Sequence, residues 1–291
     1  NIANLYPLSG PDSEYPFKSI CGVAVAFKVA QALGERMLPE EDYKQFLLNQ
    51  LDLVAIGTIA DVMPLRDENF AMVKFGLRVL ANTRKPGLIE LKRISGVKQK
   101  QITPISVGYF LAPRLNAAGR MEEASISIEL LTTDSYERAS QLAAELDMLN
   151  RKRQSLQSDY LENALSSFPT DEIPTDKVLF VENEEWQAGL IGLVSGKLKE
   201  LYCRPTFVFT RDEQGNYVGS ARSIEAFHIT NALTKFNQYF LSYGGHHKAA
   251  GLTVRAEEFN RFKEEFIEFA NATLTDEALI PEVIIDSLID V

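Results

Sequence analysis

The chain has 291 residues, enough for two domains of ordinary size, and 45% of them are apolar, which excludes wholesale disorder. No apolar run reaches the roughly 18 residues of a membrane span, and the opening residues lack the basic-then-apolar layout of a signal peptide, so a cytoplasmic protein with no membrane partner is expected. The two cysteines, Cys21 and Cys203, are too far apart for a CxxC motif, which argues against a disulfide framework or a zinc knuckle and leaves both as buried apolar residues; the net charge of -10 weighs against a polyanionic partner only if it is evenly spread.

In chain order, "CGVAVAFKVAQAL" (21 to 33), "EDYKQFLLNQLDLVAIG" (41 to 57) and "NFAMVKFGLRVLAN" (69 to 82) repeat apolar residues at three and four, the spacing of packed helices. Residues 134 to 168 form one long helical pattern, opened by Asp134 and closed before "PTDEIPTD", and predict a helix bridging two domains. The period then changes. "KVLFVE" (177 to 182) and "RPTFVFT" (204 to 210) predict strands with a helix at 189 to 201 between them, a parallel βαβ unit. "YVGSARS" (217 to 223) and "AAGLTVR" (249 to 255) predict two more strands, followed by an acidic helix from Glu257 to about Asn271.

The charge is not evenly spread. Between Arg84 and Arg120 stand eight basic residues against one acid, Glu90, whereas residues 256 to 291 carry ten acids against Arg261 and Lys263. A polyanion can therefore meet the middle of the chain while the C-terminal end repels it; a solvated helix face is the plain alternative.

Four stretches carry residues that a fold alone does not require. In "AIGTIADVMPLRDEN" (55 to 69), Asp61 interrupts an apolar run, as a metal-bound or hydrogen-bonded carboxylate would, or as a cap or turn before Pro64. In "APRLNAAGRMEEA" (112 to 124), Arg114 and Arg120 flank Asn116 and Gly119 just ahead of a helical stretch. Guanidinium forks beside helix-start amides suit phosphate oxygens, and ion pairs with Glu122 and Glu123 are the structural alternative. In "GSARSIEAF" (219 to 227), Ser220 and Arg222 lie two apart, on one face of a strand, where hydroxyl and guanidinium can converge on an anion. In "SYGGHHKAAGLTV" (242 to 254), Gly244 and Gly245 let a ligand approach the backbone, His246 offers a donor and the 249 to 251 run leaves room; an ordinary glycine turn reads equally well.

In this order the four stretches resemble the DHH phosphoesterase superfamily, and within it the RecJ-type single-stranded-DNA-specific exonucleases. "IGTIADVMPL", "RLNAAGR", "EWQAGLIGLVSGKLKE" and "GSARSI" are similar to the family's fourth to seventh motifs, and "GGHHKAAG" to the signature of the DHH-associated domain. The resemblance runs from about Tyr15 to the end of the chain. It implies an α/β fold in which residues 1–133 are the helical C-terminal part of a DHH domain, 134–169 an interdomain helix, 170–275 a DHH-associated domain with a mixed sheet, and 276–291 the start of an oligonucleotide-binding barrel. It further implies hydrolysis of single-stranded DNA from the 5′ end to mononucleotides in DNA repair and recombination, with two Mn2+ or Mg2+ ions, and with a helicase and a single-strand-binding protein as partners. Asp61 matches the family's catalytic metal-ligating aspartate; Arg114, Asn116 and Arg120 match residues near backbone phosphates; Ser220, Arg222, Gly244, Gly245 and His246 match positions that grip the nucleotide.

The departures bear on activity. The family's first three motifs are absent, and all three histidines, His228, His246 and His247, lie in the second half. Trp186 is followed by Gln187 where the family often has histidine. The chain therefore reads as lacking the N-terminal part of a longer enzyme and as inactive alone, with exposed apolar surface and low stability in its first half. A phosphodiesterase for dinucleotides or short RNA, and a non-catalytic nucleic-acid-binding relative, are the other readings.

Overall fold

The computed structural model describes residues 15–98, 102–121, 123–168 and 174–281. These fall into two compact units, one up to Lys152 and one from Arg153.

The first unit is helical: α1 (Gly22–Met37), α2 (Glu40–Ala60), α3 (Asp67–Ala81), α4 (Pro86–Ile94), the single turn α5 (Pro104–Ser106), α6 (Ala112–Met121), α7 (Ser125–Thr132) and the first half of α8 (Tyr136–Ser166). The predicted helices over 21–33, 41–57, 69–82 and 134–168 are α1, α2, α3 and α8. Gly76 sets how closely α3 approaches α2, since a Cβ there would lie 2.2 Å from the Leu51 carbonyl oxygen. Leu80, Leu88, Leu91, Leu111, Leu130, Leu142 and Leu146 close the core. Fully buried Lys92 caps α3: its Nζ donates to the carbonyls of Leu80 at 2.7 Å and Ala81 at 3.2 Å, near the negative end of the helix dipole. Val62, Ile105, Tyr109 and Phe110 stay exposed, in line with the apolar surface expected of this half.

α5 and α6 are joined by a π-helical turn, Val107–Leu111, in which the Ala112 N–H donates to the Val107 carbonyl five residues back. Pro113 has no N–H to give the Tyr109 carbonyl, and the helix widens just upstream instead of breaking.

The second unit is built on one mixed five-stranded sheet, order β1-β2-β3-β5-β4: β1 (Leu179–Glu182), β2 (Thr206–Arg211), β3 (Tyr217–Arg222), β4 (Phe240–His246) and β5 (Ala249–Val254). β1 and β2 are parallel, joined through α9 (Ala188–Tyr202) as the βαβ pattern predicts, and the other pairings are antiparallel. One sheet face carries Phe207, Phe209, Ala221, Leu252 and Val254 and is sealed by α10 (Ile229–Thr234) and α11 (Phe259–Thr273), with Phe259, Phe262 and Phe266 packed edge-on against the strand aromatics. On the other face, Ile191, Val194 and Leu198 of α9 cover Val181 and Val208. Cys21 is buried as expected; Cys203 is half-buried, left-handed at the end of α9. No helix among the described residues is long and apolar enough to cross a membrane. Most of 276–291, the expected start of an oligonucleotide-binding barrel, lies outside the described residues.

Candidate functional site

α9 packs over β2 and β3 and leaves the β5–β4 half of the same sheet face open. Register fixes what stands on this shelf. Arg222 of β3 pairs with Ala249 of β5, which pairs with His246 of β4; one step along, Ser220 pairs with Gly251, which pairs with Gly244. Cross-strand partners project to one side, so Arg222 and His246 flank one small residue, at backbones about 10 Å apart from two strand spacings. The expected convergence of Ser220 and Arg222 is present, with Arg222 Nη1 donating to Ser220 Oγ at 3.0 Å and to the Ala221 carbonyl at 2.8 Å. Gly192 of α9 leaves room for them, since a Cβ there would meet Ser220 Oγ and Arg222 Nη2 at 3.0 Å.

Residues 242–246, "SYGGH", belong to the edge strand β4, and the turn comes after them, at His247 and Lys248. Its glycines divide by cause. Gly245 has φ 155°, and a Cβ there would lie 2.2 Å from the Ala249 carbonyl oxygen, so the hairpin itself requires glycine. Gly244 and Gly251 are exposed, are not left-handed, and a Cβ on either would meet nothing within 4 Å. Neither packing nor backbone conformation explains their bare backbone. The floor between Ser220, Arg222 and His246 is open for something that lies against the chain.

His246 is exposed, and its Nδ1 accepts the Lys248 N–H at 3.3 Å, which leaves Nε2–H as the donor of the neutral ring. Its carbonyl is held by Thr230 Oγ1 at 2.8 Å. His247 and His228, to which the sequence assigned no role, stack on one another with centroids 4.6 Å apart; His247 Nε2 bonds the Glu225 carbonyl and His228 Nδ1 caps α10. Trp186 is buried and stacked on Tyr160, and the Gln187 N–H donates to the Tyr160 hydroxyl.

In the first unit the "RLNAAGR" residues take different places. The stretch lies inside α6, so its amides serve the helix and are not free helix-start donors, contrary to expectation. Arg114 pairs with Asp147 of α8, through Nε and Nη2 both at 2.8 Å, and gives Nη1 to the Phe110 carbonyl; of the acids expected to pair with it, Glu122 lies outside the described residues. Asn116 is exposed, one turn before half-buried Arg120 on the same helix face. Burial lowers the pKa of Arg120, and the guanidinium stays charged at neutral pH.

Asp61 is the exposed C-cap of α2. Among the described residues no three His, Cys, Asp or Glu side chains stand close enough together to hold a metal ion. One exposed carboxylate does not make a two-ion site, so these residues alone do not fit the metal pair that the resemblance implies.

Residues 175–272 match the DHHA1 domain family. The chain is 40% identical over 273 residues to the single-stranded-DNA-specific exonuclease RecJ of Bacillus subtilis, covering 93% of this chain and 33% of that protein. The crystal structures of RecJ from Thermus thermophilus superpose on it, the Mn2+ complex with TM-score 0.80 at 34% identity and the Mg2+ complex with 0.78 at 35%. They cover 93% and 91% of this chain. The chain belongs to the RecJ family. It spans about a third of the B. subtilis protein, and 38% and 40% of the two crystallised RecJ chains. As a RecJ-family sequence it carries its open shelf within the DHHA1 match, where Ser220, Arg222, Gly244, Gly251 and His246 all lie.

Proposed function

We propose that the shelf of the second unit grips the sugar-phosphate backbone of single-stranded DNA, and that the protein to which this chain belongs is a 5′-to-3′ exonuclease using Mn2+ or Mg2+ to release mononucleotides in DNA repair and recombination. The observation that carries this reading is the unexplained bare floor at Gly244 and Gly251, bounded by a guanidinium, a hydroxyl and an imidazole N–H. Those donors suit phosphate oxygens, and a backbone without side chains admits a sugar in contact. The RecJ relatives supply the reaction class and their crystal structures the metals. In this proposal residues 1–133 belong to a DHH domain, 134–169 form an interdomain helix and 170–275 hold substrate. Cytoplasmic action beside a helicase and a single-strand-binding protein belongs to the same proposal. Asp61 stands as the metal-ligating residue, Asn116 and Arg120 as phosphate contacts, and Arg114 as their support through Asp147.

Fluorescence anisotropy with 5′-phosphorylated oligonucleotides from a dinucleotide upward tests it. Affinity should rise with length, fall with salt, and drop in His246→Ala and in Arg222→Gln. Saturation at the dinucleotide would favour a small-substrate phosphodiesterase instead. With its described acids and histidines forming no metal cluster, the chain alone should leave labelled single-stranded DNA intact in Mn2+. Manganese-dependent degradation that Asp61→Ala abolishes would contradict that.

A further inference from the structure

The carboxylate of Asp147 holds two arginines, not one. Its Oδ1 takes Nε and Nη2 of Arg114, and its Oδ2 takes Nε of Arg151 one helical turn along α8, all at 2.8 Å. Asp147 and Arg114 are nearly buried, with side-chain exposures of 8% and 14%, while Arg151 is 76% exposed. Two guanidiniums on one carboxylate leave an excess positive charge, and exposed Lys152 adds another beside it. Arg114 turns three of its five N–H donors inward, two to Asp147 and one to the Phe110 carbonyl, and its side chain is largely buried. Among the described residues Arg151 bonds through Nε, and its side chain is 76% exposed, which leaves its two terminal nitrogens available on a tethered side chain.

We propose that Arg151 is a phosphate contact for single-stranded nucleic acid and that Asp147 is its positioning residue. A bond at Nε leaves the outer edge of a guanidinium to grip phosphate oxygens, and it lowers the side-chain entropy lost on binding. The ligand class follows from the unspent charge: an anion approached from solvent, repeated along a chain so that neighbouring Lys152 is answered too. This inference rests on the reading of the protein as a binder of single strands.

The test is anisotropy binding of a 12-nucleotide oligo-dT across a salt series, with Arg151→Gln, Arg151→Lys, Asp147→Asn and, as reference, Arg222→Gln. Arg151→Gln should weaken binding about fivefold near 0.1 M salt and reduce the slope of log K against log salt by about 0.7, the value for one phosphate on a single strand. Arg151→Lys should keep the slope and still bind about twofold more weakly, because a point charge cannot use the Nε tether. Asp147→Asn should weaken binding although it removes a negative charge; tighter binding overturns the positioning role. If Asp147→Asn does not fold, the exposed Arg151→Gln variant decides alone, and unchanged affinity and slope there overturn the contact. Wild-type binding that Arg222→Gln weakens and Arg151→Gln does not would defeat this inference only. No binding by folded wild type would defeat the functional proposal with it.

Discussion

Val62 sits one residue beyond Asp61 with φ 53°, a left-handed conformation that costs a β-branched residue about 1–2 kcal/mol. The hydrogen bonds explain why it is held there. Met63 N–H reaches the Thr58 carbonyl and Val62 N–H the Ile59 carbonyl, which is the Schellman ending of a helix, with valine where glycine is usual. The side chain is 87% exposed and packing does not reward it. Val62→Gly should therefore stabilise the first unit by about 1 kcal/mol, after allowing for the greater freedom of glycine when unfolded. Urea unfolding followed by circular dichroism measures it, and a lower midpoint would mean that the strain is absent. Strain of this kind beside Asp61 is typical of residues that a site holds in place.

Among elements, the start of the described chain is tied to α1 and α3 by three polar groups. The Tyr15 hydroxyl donates to Glu68, and Lys28 forms an ion pair with the same carboxylate. Burial alone would raise the Glu68 pKa, but the Lys28 and Tyr15 bonds outweigh it and hold the carboxyl below its ordinary 4.5. A depressed carboxylate contributes stability that is present above its unfolded pKa and is lost as pH falls through the folded one. Glu68→Gln should thus be less stable than wild type at pH 7 by a gap that narrows as pH falls below 4.5; equilibrium urea unfolding across that range would show a constant gap if Glu68 carried no shift. Helices α1, α2, α3 and α8 repeat apolar residues over many turns, and strands β1 and β2 are runs rich in β-branched and aromatic residues, so their local pattern agrees with their fold. β4 has no such pattern: Gly244, Gly245 and His246 have low strand preference and become a strand only because β5 pairs with them. α6 was obscured in the same way, since Pro113 reads as a helix boundary and is accommodated by the π-helical turn before it.

Across the whole molecule, the shelf residues were legible by type, because Ser220, Arg222, Gly244 and His246 stand in recognisable stretches, but their grouping was not. β3 and β4 are brought into one row by β5, which follows both in sequence, and only the register places Gly251 between Ser220 and Gly244. Asp147 was invisible for a related reason, since nothing in a helical heptad marks the one acid that meets an arginine 33 residues earlier. The most direct test of the shelf is Gly251→Val beside Gly245→Ala, with thermal unfolding and oligonucleotide binding measured on each. A Cβ at Gly251 meets nothing within 4 Å, the position is exposed and valine suits a strand, so the unfolding midpoint should hold or rise while binding falls at least about tenfold. Gly245→Ala should instead lose stability, because its Cβ meets the Ala249 carbonyl. A folded Gly251→Val protein that binds single strands as wild type does would show that nothing lies on the bare floor, and the proposed site would be wrong.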